Sequence, residues 1–310
     1  MERKVEFKSR GETCKGVLHL PVDKDGPFPL MVMAGGWCYT KEIVMPHYAR
    51  SFVDTGVATL LIDYRRFGES AGEPRQHINP WDQIEDYKNA ISYAETLKEI
   101  DRARIGIWGI SYSGGHVLVV AATDPRVRWA ISTIPVVDGF PTVRRCHGER
   151  RFAELLAVIA ADRKKRYETG GRGDYIPMSS TKPADELSAW PFPHVFEAFN
   201  DIKAREAPLH EHYSTVESVE LLLTYTVFPY CARIVDTPVL MTVAKGDNIT
   251  SADLEIAAFN AITNPNKTIA IVEGVTHMSL YSNKEHLATV GKIQSSWLKQ
   301  LLANSRRGDS

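Results

Sequence analysis

The chain lacks most of what would mark a metal, nucleic-acid or membrane protein. It has only four cysteines, Cys14, Cys38, Cys146 and Cys231, far apart and without a CxxC spacing. That argues against a thiolate zinc motif and a disulfide framework, and it predicts reduced thiols in a cytoplasmic protein. No HExxH occurs. Cys146 and His147 are neighbours, but adjacent side chains on most backbones diverge, so no metal site is expected. The formal net charge is −1 and no basic stripe is present, so nucleic acid is not an expected partner. No run approaches the roughly 20 apolar residues of a spanning helix. The opening "MERKVEFKSR" has no apolar core behind it, so neither a membrane partner nor a signal peptide is expected.

What is present is a large apolar fraction, 44% of 310 residues, enough for one big core. Two candidate strands open the chain, near Val5–Lys8 and Lys15–Leu20, before the turn "KDGPFP". "LMVMAGG" (Leu30–Gly36) and "VATLLID" (Val57–Asp63) read as strands buried on both faces. Between them "MPHYARSFVDTG" fits a helix stopped at Gly56. From Asn79 to Ile100 an amphipathic helix is predicted, with Ile84, Tyr87, Ile91 and Ala94 on one face. A strand "RIGIWG", a helix Ser113–Ala122 and a strand Val127–Ile134 follow. This alternation predicts an α/β protein with a doubly wound, mostly parallel sheet.

The alternation stops at about Pro135 and resumes with "PVLMTVAKGD" (Pro238–Asp247), a helix near Ala252–Ile262, the strand "TIAIVEG" and a final helix Lys284–Leu302. Residues 1–134 and 235–310 are therefore expected to form the core. Residues 135–234 are expected to be a helical cap or lid, rich in aromatics. Trp190, Phe192 and Phe196 are its candidate pocket walls, although aromatics at such spacing also serve as plain cap core.

"GIWGISYSGGHVL" (Gly106–Leu118) joins a short apolar strand to a helix through glycines and serines. A nucleophile held at such a bend needs small residues two before and two after it. Around Ser111 these are Gly109 and Ser113, a departure from strict G-x-S-x-G. Ser113 is the rival nucleophile, but it falls inside the helix, whereas Ser111 sits at the strand end. A serine hydroxyl needs a base. His277, in "VEGVTHMSLY" after the last strand, can reach the same rim of the sheet; His116, in the helix after the bend, should point away. Asp247, in "AKGDNIT" after the preceding strand, is the candidate orienting acid, with Asp138 as runner-up. Asp63, followed by "YRRFGES", is read as structural and paired with those arginines. The backbone N–H of Tyr112 and that of Trp37, or of Gly36, are the candidate oxyanion donors.

On "AGGWCYTKE", "DYRRFGESAGEPR", "GIWGISYSGGH", "AKGD" and "GVTHMSLY", the chain resembles the α/β-hydrolase superfamily, in particular its dienelactone-hydrolase-like and X-Pro-dipeptidyl-peptidase-like esterase branches. The resemblance covers most of the chain outside residues 135–234. It implies the α/β-hydrolase fold and a serine nucleophile at Ser111. "AGGW" lacks the histidine of the usual His-Gly turn, which leaves the second oxyanion donor open. The expected activity is that of a serine hydrolase on a carboxylic ester, lactone or thioester with a small-molecule apolar acyl group, without a cofactor. An acyltransferase of polyketide-tailoring type would use the same residues. A non-catalytic binding protein on a hydrolase scaffold is the reading outside catalysis. No acidic pair that would hold the free amino terminus of a peptide is evident. A homodimer is compatible with the sequence.

Overall fold

In the computed structural model, which describes residues 1–22 and 24–308, the sheet elements follow the expected order. They are β1 (Glu2–Ser9), β2 (Glu12–His19), β3 (Phe28–Ala34), α1 (Met45–Val53), β4 (Ala58–Ile62), α2 (Pro80–Ala94), β5 (Ile100–Ile110), α3 (Tyr112–Thr123) and β6 (Val127–Thr133). The chain then runs through α4 (Gly139–Thr169), β7 (Tyr175–Pro177), α5 (Pro193–Arg205), β8 (Tyr213–Thr215), α6 (Val216–Leu223) and α7 (Phe228–Cys231). It re-enters the sheet with β9 (Val239–Ala244), α8 (Ala252–Ala261), β10 (Lys267–Val272), α9 (Ser279–Ser282) and α10 (Lys284–Gly308).

Eight strands form one sheet in the order β1-β2-β4-β3-β5-β6-β9-β10. β2 runs antiparallel to both its neighbours, β1 and β4; β4, β3, β5, β6, β9 and β10 are parallel. β3, β4 and β9 are buried along their whole length, as strands covered on both faces must be. On one face α1 packs with α10, and on the other α2 packs with α3. Trp108 shows how closely the first face is fitted: Tyr48 of α1 lies 4.9 Å from it ring to ring, and its indole N–H donates to Gln294 of α10 at 2.9 Å. Among the described residues no helix is long and apolar enough to cross a membrane.

Three differences from the sequence reading have local causes. The helix expected to reach Ile100 ends at Ala94, because Ile100 pairs with Phe28 and opens β5. Residues 135–234 contain, besides helices, the two-stranded ladder β7–β8, whose three-residue strands are too short for any alternation to register. The segment after β10 contains the single helical turn α9, between His277 and Asn283.

Parallel strands place their carboxyl ends on one rim, where ligands bind in sheets of this kind. That rim carries the end of β5 at Ser111, the turn after β9 at Asp247 and the loop after β10 at His277. It also carries the crossing from the end of β6 into the segment before β9, whereas the return enters β9 at Val239, on the opposite rim.

Candidate active site

Ser111 joins β5 to α3 with φ 58° and ψ −119°. A non-glycine residue with such a backbone is strained, and the surroundings must hold it there. Two hydrogen bonds do so: the Ser111 N–H donates to Thr133 O at 2.9 Å, and Val136 N–H donates to Ser111 O at 3.0 Å. Gly109 is required by the same bend, since a Cβ there would stand 2.2 Å from Ser113 O. Ser113 is fully buried inside α3 and its hydroxyl is committed to Gly35 O and to the Tyr64 hydroxyl. The rival nucleophile is thus enclosed, while Ser111 opens on a cavity.

That cavity, small at about 20 Å³, also exposes His277. Its remaining wall is largely apolar: Trp37 and Tyr39 from the loop after β3, Met178, Trp190, Val195 and Phe199 from the segment between β6 and β9, and Ile249, Met278 and Tyr281 from the loops after β9 and β10. Of the three candidate walls, Trp190 lines this cavity. Phe192 and Phe196 do not. Val195, Phe199 and Ile202 form the buried face of α5, so Phe196 is turned about 100° away and packs 5.0 Å from the His212 ring. Phe192 precedes α5 and lies against His194.

His277 and Asp247 are joined directly. The imidazole Nδ1–H donates to Asp247 Oδ2 at 2.7 Å. The other carboxylate oxygen accepts the N–H groups of Ile249 and Thr250, both at 2.9 Å. Burial alone would raise this carboxyl, but the imidazole and the two N–H groups outweigh it and hold it below its usual range. A proton fixed on Nδ1 leaves Nε2 as the acceptor, which is what a base for Ser111 requires. Thr250 adds a second layer. Its hydroxyl donates to the buried Glu255 at 2.5 Å, and its oxygen lies 3.3 Å from His277 Nδ1. Burial first, and the nearby Asp247 second, push the Glu255 carboxyl well up.

The other candidates separate clearly. Asp138 precedes α4 and bridges to Thr226, away from the His277–Asp247 pair. His116 points away from the cavity, bonded to the Tyr225 hydroxyl and Gln83. His147 is bonded to Val143 O and Ser188 O and does not act together with Cys146, whose thiol faces Ile249 O. Asp63 is structural, but its expected partners are corrected. It takes the Nζ and N–H of Lys41 at 2.8 and 2.7 Å, because the loop after β3 folds back over the end of β4. Arg65 goes to Asp86, and Arg66 to Asp82.

The loop after β3 also approaches the serine. A Cβ on Gly36 would stand 3.3 Å from Ser111 Oγ and 3.0 Å from its Cβ, a tight contact that would crowd the serine. The N–H of Trp37 follows at once, and that of Tyr112 begins α3, where the first N–H groups have no intrahelical partner. Both rings are buried in contact, with centroids 5.3 Å apart. Sequence reasoning missed the cavity residues Tyr39, Met178, Val195, Phe199, Ile249, Met278 and Tyr281. For Tyr281 a signal existed, since it stands four residues after His277 in "THMSLY", one helical turn on.

The sequence model of the family described as X-Pro dipeptidyl-peptidase (S15 family) matches residues 14–279. The chain is 28% identical over 303 residues to a thiohydrolase of Eupenicillium brefeldianum, covering 95% of this chain and 93% of that protein. It is 30% identical over 258 residues to a polyketide transferase of Aspergillus fumigatus, covering 83% and 84%. Among solved structures, it superposes on the α/β hydrolase GrgF from Penicillium sp. sh18 with a TM-score of 0.78 at 24% identity, covering 97% of this chain and 98% of that one.

Proposed function

The chain belongs to the X-Pro dipeptidyl-peptidase (S15) family and is an enzyme of the α/β-hydrolase fold; from this premise we propose that it is a serine hydrolase acting on a carboxylic ester, lactone or thioester through an acyl-enzyme on Ser111. The observation that carries the reading is the strained Ser111 facing one cavity with His277, whose Nδ1–H is held by Asp247. In this mechanism Ser111 Oγ attacks the acyl carbonyl as its proton passes to His277 Nε2. Asp247 fixes the tautomer and offsets the charge on the imidazolium. The Trp37 and Tyr112 N–H groups receive the oxyanion, each contributing about 3 kcal/mol in the transition state. His277 returns the proton to the leaving group, and water then cleaves the acyl-enzyme by the same steps in reverse.

The wall chemistry favours an apolar acyl group over a peptide. Among the described residues no carboxylate lines the cavity, so a free amino terminus would be desolvated there without a counter-charge, which is costly. The decisive experiment is labelling with a fluorophosphonate probe, followed by mass mapping of the modified peptide. Modification at Ser111 is expected; an intact protein that stays inert to the probe would make it a binding module instead. A second reading within catalysis, transfer of the acyl group to an alcohol in place of water, is favoured by the relative named as a polyketide transferase. Product analysis with and without an added alcohol separates the two.

We read residues 135–234 as a cap that selects the acyl group rather than driving the chemical step. Four of the wall residues come from it, and a largely apolar wall of this kind excludes water and grips an apolar chain. Trp190→Ala and Phe199→Ala should each cost a bulky ester roughly 1–3 kcal/mol in kcat/KM beyond any loss on the acetate ester. Phe196→Ala, outside the wall, should not discriminate. Equal losses on both esters from all three, tracking a fall in Tm, would mean that these rings only hold the cap together.

A further inference from the structure

Tyr281 is buried against the two groups that do the chemistry, and no protein atom satisfies its hydroxyl. It lies in α9, one turn beyond His277, so the two side chains share a side. Its ring is nearly parallel to the imidazole, 5.6 Å away at 26°. Tyr39 meets its face edge-on at 5.7 Å, and Phe199 supports it at 5.9 Å. The residue is 3% exposed, and its hydroxyl stands close to the side chains of Ser111 and Tyr39 without a well-formed hydrogen bond to either. An orphan buried O–H is a cost that packing alone does not explain. Burial pushes the phenol well up, so it stays protonated and remains a donor.

Its position assigns the acceptor. The N–H groups read as oxyanion donors enter from the loop after β3 and the start of α3. Tyr281 enters with His277, from the loop after β10. His277 must hand its proton to the leaving group, so that group lies between the imidazole and Ser111, in the cavity that Tyr281 also lines. We propose that Tyr281 is a further catalytic residue, donating a hydrogen bond to the oxygen that leaves from, or enters at, the carbonyl on Ser111, and that it fits the site to oxygen esters and lactones rather than thioesters.

The step balances without a co-reactant. The Ser111 Oγ–carbon bond forms as the Oγ proton passes to His277. The carbon–oxygen bond of the ester then breaks, and its electron pair stays on the leaving oxygen, which takes the proton from His277. Tyr281 keeps its own proton throughout and stabilises the charge that builds on that oxygen. In deacylation water occupies the same place. Sulfur accepts hydrogen bonds weakly, so a thioester leaving group gains little from the phenol.

The inference rests on the hydrolase reading, and a matched pair of substrates separates their failures. Ethyl octanoate and S-ethyl thiooctanoate form the same acyl-enzyme, and kcat/KM reports its formation. Tyr281→Phe, which keeps the ring, should lower kcat/KM for the ester about tenfold more than for the thioester, the size of one hydrogen bond to developing charge. Equal losses would overturn the proposal, because a role at the shared carbonyl oxygen or in packing moves both alike. If Tyr281→Phe does not fold, the wild-type enzyme decides. It should use the ester at least as well as the thioester, and a thioester preference above about tenfold would overturn the inference. No turnover of either substrate, with no fluorophosphonate label on Ser111, would overturn the hydrolase reading itself.

Discussion

Ser111→Ala is expected to lower ester turnover by about a millionfold, and His277→Ala by a similar factor, with the fold intact. The reasoning is that the two act as one unit. Without the hydroxyl no acyl-enzyme forms. Without the imidazole the hydroxyl keeps its proton and is a poor nucleophile. The double variant should therefore be hardly worse than either single one, because the second loss removes nothing that is still working. A residual acceleration of about 10³–10⁴ over water should remain from the oxyanion donors and binding. The Ser111 change should also raise Tm slightly or leave it unchanged, since it removes a polar group from a strained, buried position. Ser113→Ala is the control. Its hydroxyl is bonded to Gly35 O and Tyr64 inside the protein, so its loss should appear in Tm while substantial activity remains. Burst kinetics with a chromogenic ester, together with melting curves, read all four variants. Full activity in Ser111→Ala, with none in Ser113→Ala, would transfer the nucleophile to the helix.

The sheet was legible because each of its strands obeys one local rule. "LMVMA" is apolar at every position and "VATLLI" at all but Thr59, which only a strand covered on both faces tolerates. "GIWGISYSGG" announces a bend because only small residues fit beside a serine with positive φ. The orders of Ser111, Asp247 and His277 were legible for the same reason: each follows a strand, and parallel strands share a rim. What stayed hidden depends on angles that no pattern carries. Phe196 and Phe199 are both aromatic, and three residues of helix rotation decide which one reaches the cavity. Asp63 stands beside two arginines in sequence, yet a loop that folds back over the end of β4 gives it Lys41. Glu255 reads as an ordinary helical glutamate, and only its burial beneath Thr250 ties it to Asp247.

Asp247→Asn is expected to preserve the fold and lower turnover by about 10⁴, through the tautomer of His277 rather than through lost charge alone. The hydrogen bonds around the carboxylate determine how the amide must sit. One oxygen already accepts two N–H groups, from Ile249 and Thr250. In the variant the amide oxygen has to take that place, because an amide NH₂ turned there would face two donors with no acceptor. The NH₂ is then left opposite His277 Nδ1, where the carboxylate oxygen now stands at 2.7 Å. It can only donate, so Nδ1 must become an acceptor and the ring proton moves to Nε2. The nitrogen facing Ser111 then carries a proton and cannot take one. The Thr250 hydroxyl does not rescue the original tautomer, since its bond to Glu255 is short and its contact with Nδ1, at 3.3 Å, is weak. The loss should therefore fall on kcat, with KM little changed, and a ring nitrogen NMR measurement should find the proton moved from Nδ1 to Nε2. Asp138→Asn, at the start of α4, should leave both untouched. Turnover within tenfold of wild type in Asp247→Asn, or a 10⁴-fold loss in Asp138→Asn, would mean that a different carboxylate orients the base.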